Sequence, residues 1–108
     1  MADIKLDWTN PALNTLSNID SFVIYKKENS SCAELQGLAA NSDTANKVNV
    51  TGSGTGNNEI TDLTKTSYTD TGVTAGTWTY GIYAKNAVGV SPCKGTNGAD
   101  SVATVTVV

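Results

Sequence analysis

The chain of 108 residues contains no histidine. That removes the usual general base, the serine–histidine–aspartate arrangement and the commonest transition-metal ligand. Charge is also scarce, with 7 basic against 10 acidic residues and a formal net charge of −3. No basic cluster exceeds the pair Lys26-Lys27, so binding to a nucleic-acid backbone has no electrostatic footprint. No apolar run approaches the roughly 20 residues of a membrane-spanning helix. These absences lead to an expectation of no nucleic-acid partner and no membrane insertion.

Two cysteines, Cys32 and Cys93, stand far apart in the chain, in neither a metal-binding nor a redox-pair spacing. They read first as two isolated thiols, with a disulfide as the alternative. No base is evident beside either to make a nucleophilic thiolate. The ten carboxylates are dispersed. Glu59, Asp62 and Asp70 lie nearest one another in sequence, but glycosidase chemistry needs two carboxylates facing across a cleft. No spaced acidic loop suggests calcium. The glycine-rich run Thr51–Gly56 is not followed by the Gly-Lys-Ser/Thr of a phosphate-binding loop. No cofactor and no catalytic residue is expected.

What is abundant is Thr, Asn, Ser and Gly, which favour short strands and polar turns. Ile4, Leu6 and Trp8 alternate with Lys5, Asp7 and Thr9, the period of a half-buried strand. Asn10-Pro11 ends it. A second strand covers about 19–28, with Phe22 and Ile24 turned inward. Val23 and Tyr25 fall on its other face. Ser31 followed by Glu34 is a capping-box pattern that predicts a short helix near 32–40, stopped at Asn41. Lys47–Thr51 reads as a short edge strand with Val48 and Val50 on one face, and Ile60, Leu63 and Tyr68 as core contacts. Gly72–Gly76 reads as a turn. Trp78, Tyr80, Ile82 and Ala84 then alternate with Thr79, Gly81, Tyr83 and Lys85, the clearest strand in the chain. Asn97-Gly98 is a turn signal, and the β-branched run 101–108 is a final strand. The expected core is Leu6, Trp8, Phe22, Ile24, Tyr68, Trp78, Tyr80 and Ile82. Strands of this kind, separated by turns, imply one all-β domain over 1–108, a two-sheet antiparallel β-sandwich with one short helix.

Three stretches resemble the fibronectin type III family of immunoglobulin-like sandwiches, in its bacterial and phage forms. Ile4–Pro11 is similar to the family's second strand, with its buried tryptophan and following proline. Ile19–Lys26 is similar to its third strand. Thr66–Gly89 resembles the fifth strand, the turn, the sixth strand and the Ala-x-Asn exit. Only seven residues precede Trp8, so either the family's first strand is absent or Ile4–Trp8 is a shortened start. An absent first strand implies an open sheet edge, and open edges pair readily with other chains. Trp78 stands where the family has its corner tyrosine, which puts that hydrogen bond in question. The family's Arg-Gly-Asp adhesion signal does not occur.

The resemblance places Tyr25 and Tyr83, with Val23, on outward faces of neighbouring strands, where they read first as ordinary cross-strand packing and, as the alternative, as a ligand- or partner-facing stripe. It implies binding or assembly rather than catalysis. The first expectation is a structural or decoration protein of a virion, a tailed-phage head or tail component, docking onto other virion or surface proteins or onto copies of itself. The N-terminus has no basic-then-apolar leader, so a chain starting naturally at Met1 would be assembled in the host cytoplasm. Two Asn-x-Ser/Thr patterns, at Asn29 and Asn49, then read as chance matches. The second expectation is an extracellular accessory module that binds glycan or a cell surface through loops 12–18, 51–58 and 88–99.

Overall fold

The computed structural model describes residues 2–8, 19–48, 50, 59–91 and 102–108. Five strands and one helix follow in the order β1 (Ala2–Asp7), β2 (Ser21–Glu28), α1 (Cys32–Ala40), β3 (Ser67–Val73), β4 (Gly76–Lys85) and β5 (Val102–Val107). They form two antiparallel sheets. One has two strands, β1–β3; the other has three, in the order β2–β4–β5. The all-β sandwich is therefore present, with one short helix added.

The period-2 pattern explains how the sheets meet. The even-numbered residues of β1 are partly buried and the odd ones exposed. Ile4, Leu6 and Trp8 pack against Phe22 and Ile24 of β2 and Tyr80 and Ala84 of β4. Trp78, Ile82, Tyr68, Leu63 and Val105 close the same cluster at its margins. Of the eight residues expected in the core, Phe22, Ile24 and Tyr80 are buried in it, and Leu6, Trp8, Tyr68, Trp78 and Ile82 are partly buried and pack against it. Val48, Val50 and Ile60 complete it from the outer edge of β2. There the Val48 N–H donates to the Ile24 carbonyl at 2.8 Å, and Phe22 and Ile60 exchange backbone hydrogen bonds at 2.8 and 3.0 Å. Of the edge strand predicted at 47–51, the described residues 47, 48 and 50 show one bridge, Lys47 opposite Tyr25.

Helix α1 forms where the capping signal placed it. Ser31 is extended, and its side chain accepts the Glu34 N–H at 3.2 Å. The Glu34 carboxylate does not return to the cap. It accepts from Ser30 Oγ at 2.6 Å and Lys27 Nζ at 2.7 Å, tying the first turn to the end of β2. The turn expected over Gly72–Gly76 is tighter, because β3 runs to Val73 and β4 starts at Gly76. Gly76 has φ +148°, open to glycine and costly for other residues. The Asn97-Gly98 turn, Cys93, Asn49, and the loops at 12–18, 51–58 and 92–100 lie outside the described residues.

Candidate functional site

Val23, Tyr25 and Tyr83 are not on an open face. They are 2, 1 and 0% exposed and form a second apolar cluster with Leu35 and Ala39 of α1. The expectation of a partner-facing stripe is thus corrected: the helix covers that face. The phenol hydroxyls show why it docks there. Tyr83 donates to the carbonyl of Cys32, the first residue of α1, at 3.0 Å. Tyr25 donates to the carbonyl of Asp43, just beyond the other end, at 2.7 Å. The two tyrosines hold the helix at both ends while burying their rings. Burial pushes the Tyr25 phenol up to about 12, with the Asp43 and Glu59 carboxylates adding to it. Burial alone raises Tyr83 further.

Gly81 belongs to the same arrangement. A Cβ there would lie 2.7 Å from Tyr83 Oη and 2.9 Å from its Cε2. Tyr83 is fully buried and its hydroxyl is engaged, so the ring has no room to withdraw. Gly81→Ala is expected to cost about 1–3 kcal/mol in a chemical denaturation curve, as overpacking does. An unchanged midpoint would show that the ring can move.

Two charged groups are partly or largely buried, one between the two sheets and one at the outer edge of β2. Lys26 has the inward parity of Phe22 and Ile24. Its ammonium pairs with Asp70 at 2.8 Å and lies 5.4 Å from the Trp78 ring centroid and 6.0 Å from that of Tyr80. Asp70 also accepts from Tyr80 Oη at 2.7 Å. Burial and this bond to Asp70 both raise the Tyr80 phenol. Because Asp70 pairs with Ile4 across the β1–β3 ladder, the group links the two sheets. The second group centres on Glu59, whose side chain is 6% exposed. It accepts from Ser21 Oγ at 2.7 Å, Lys47 Nζ at 2.7 Å and Lys85 Nζ at 2.9 Å. Burial raises its pKa, but the bonds from Lys47, Lys85 and Ser21 outweigh that and leave it below the ordinary value of 4.5. Both carboxylates are engaged by ammonium and hydroxyl groups of the chain itself.

The sequence reading missed both groups. Lys26 had a usable signal, since strand parity placed it inward. Glu59 had none, because its partners come from three separate segments. Among the described residues no group of three Asp, Glu, Cys or His side chains is arranged to hold a metal ion. None of their helices is long and apolar enough to cross a membrane.

Trp78 spans the β3–β4 turn. Its indole N–H donates to the Thr74 carbonyl at 2.9 Å, four residues upstream. Trp78→Phe keeps most of the ring contact and loses this bond. It is expected to lower stability by about 1 kcal/mol; a loss indistinguishable from zero in denaturant titration would show the bond to be idle.

Cys32 is disulfide-bonded, which corrects the preference for isolated thiols. One other cysteine, Cys93, occurs in the sequence.

The remaining feature is an edge. The outer side of β2 is occupied by 46–48 and Ile60, and both faces of its sheet are covered. Among the described residues β1, by contrast, pairs only with β3, and its opposite edge, like that of β3, has no strand partner. The fold and this edge define a two-sheet antiparallel β-sandwich with one helix over its larger sheet. No protein-family model matches the chain, and no curated protein matches it.

Proposed function

We propose that the chain is a non-catalytic structural module of the fibronectin type III kind, serving as a structural or decoration protein of a virion, in the head or tail of a tailed phage, through protein–protein contacts. The open edge of β1 carries this reading. A two-stranded sheet is short of the three strands that usually make a sheet stable by itself, and its free backbone groups suit pairing with a neighbouring chain. The pairing of β1 with β3, and of β2, β4 and β5 in that order, supports the family resemblance, because it is compatible with the B–E and C–F–G ladders of an immunoglobulin-type sandwich. Particles purified from infected cells should contain the protein at fixed stoichiometry. Its presence in lysate but absence from such particles would overturn the reading.

One observation favours a second reading, an extracellular module that binds glycan or a cell surface. A disulfide at Cys32 suits an oxidising setting. A virion surface outside the cell is such a setting too, so the bond alone does not separate the two. Binding to a glycan array that persists in the purified domain would favour the second.

A further inference from the structure

We propose that the open edge of β1 pairs with the same edge of a second copy, antiparallel, about a two-fold axis through Leu6. The inference rests on the reading that this chain works through protein contacts, and it names the partner and the register.

The backbone sets which groups are offered. The Trp8 N–H donates to the Thr66 carbonyl at 2.9 Å, toward β3. Backbone groups alternate along a strand, so those of Leu6 also turn to β3 and those of Lys5 and Asp7 turn to the open side. An antiparallel partner must therefore place odd-numbered residues opposite odd-numbered ones. Three two-fold registers meet this condition along β1, and the side-chain charges choose between them. An axis at Lys5 sets Lys5 against Lys5 and Asp3 against Asp7, which opposes like charges throughout. An axis at Ile4 sets Lys5 against Asp3, but the β1 register slips between Ala2 and Ile4, so Asp3 sits at an irregularity. An axis at Leu6 uses the regular stretch of the strand.

In that register Lys5 of each copy faces Asp7 of the other, twice over. The two residues already lie 3.7 Å apart within one chain, with side chains 67 and 69% exposed. Pairing would gather two ammonium and two carboxylate groups into a neutral square. On the core side Leu6 meets Leu6 and Ile4 meets Trp8, extending the apolar face without a break. The product is a four-stranded sheet, β3–β1–β1–β3. It closes at two copies because the contact is isologous. The outer edges of β3 and β5 also have no strand partner among the described residues. Ser67–Val73 carries a single charge, Asp70, and Val102–Val107 carries none, so neither offers opposite charges to select a register.

Sedimentation equilibrium at low ionic strength tests the proposal. The intact chain should show a monomer–dimer equilibrium. Lys5→Glu faces Asp7 with a like charge and should raise the dimer Kd about tenfold or more, and Asp7→Lys should do the same against Lys5. The double variant Lys5→Glu/Asp7→Lys restores opposite charges and should return the Kd to within about threefold of the original. Melting curves taken at concentrations well below the dimer Kd should match for all four proteins, since both side chains are exposed. A chain that stays monomeric overturns the inference, as does a dimer that ignores both single changes or is not rescued by the double. Neither result bears on whether the protein is found in particles, so the functional reading is judged separately by purification.

Discussion

Removal of residues 102–108 should leave a chain with no cooperative thermal transition. β5 pairs with β4 along its whole length, from Gly76 opposite Val107 to Gly81 opposite Val102. Val107 is 7% exposed, Val105 packs on the inter-sheet core, and Val102 packs on the cluster beneath α1. Burying a valine fully is worth about 1.5–3 kcal/mol. Losing three that are wholly or partly buried, with six positions of ladder, approaches the roughly 5–15 kcal/mol by which a domain of this kind is stable. The deletion also bares one side of β4, the strand that carries Trp78, Tyr80 and Tyr83. Near-ultraviolet circular dichroism should collapse with the melting transition. A truncated protein that melts like the intact one would refute the role given to β5. Val107→Ala, which should lower stability by about 1–2 kcal/mol, provides a graded check if the truncated chain cannot be purified.

Glu59→Gln should be the most damaging single change among the polar residues. The carboxylate is nearly buried and answers two ammonium groups, Lys47 and Lys85, one of them also largely buried. Removing its charge leaves those cations facing a neutral amide. Breaking a buried pair from one side costs about 3–5 kcal/mol, which for a domain of this size is a fall of at least about 12 °C in Tm. Adding Lys47→Met to Glu59→Gln should recover part of the loss, because one stranded cation is then gone. The pH dependence has a definite sign. The folded pKa of Glu59 lies below the ordinary value of 4.5, so the folded state binds this proton less readily than the unfolded chain. Its contribution is complete above that ordinary value and fades as pH falls through the lower folded value. The stability gap between the original chain and the Glu59→Gln variant should therefore be constant near neutrality and shrink in acid below about pH 4.5. A gap that widened in acid would contradict this account.

Local signals were legible in the sequence where local chemistry decides the outcome. The Ser31 cap and the Glu34 position three residues on marked the start of α1, because a helix N-terminus is satisfied by groups within one turn. Alternation in Ile4–Trp8 and Trp78–Ala84 marked two strands and their inward faces for the same reason. The Trp78 corner was harder to read. Its position was recognisable, but whether an indole could reach the Thr74 carbonyl depended on the shape of the Val73–Gly76 turn. Glu59 was not legible at all, since Ser21, Lys47 and Lys85 meet it only after β2, β4 and the 46–60 segment have come together.

The stripe of Val23, Tyr25 and Tyr83 marks the boundary between the two kinds of information. By itself the sequence determined that β2 is apolar on both faces and that β4 has one apolar face with Tyr83 on the other, because side chains alternate along a strand whatever surrounds it. It also determined that a short helix follows β2. Only the tertiary structure decided which cover each face receives. β1 and β3 take one face and α1 takes the other, where the Tyr83 and Tyr25 hydroxyls find the carbonyls of Cys32 and Asp43 at its two ends. Alternation fixes direction along a strand, whereas cover depends on the path of the chain between strands. For the same reason the edges left without a strand partner among the described residues, that of β1 among them, became visible only once every strand had its place.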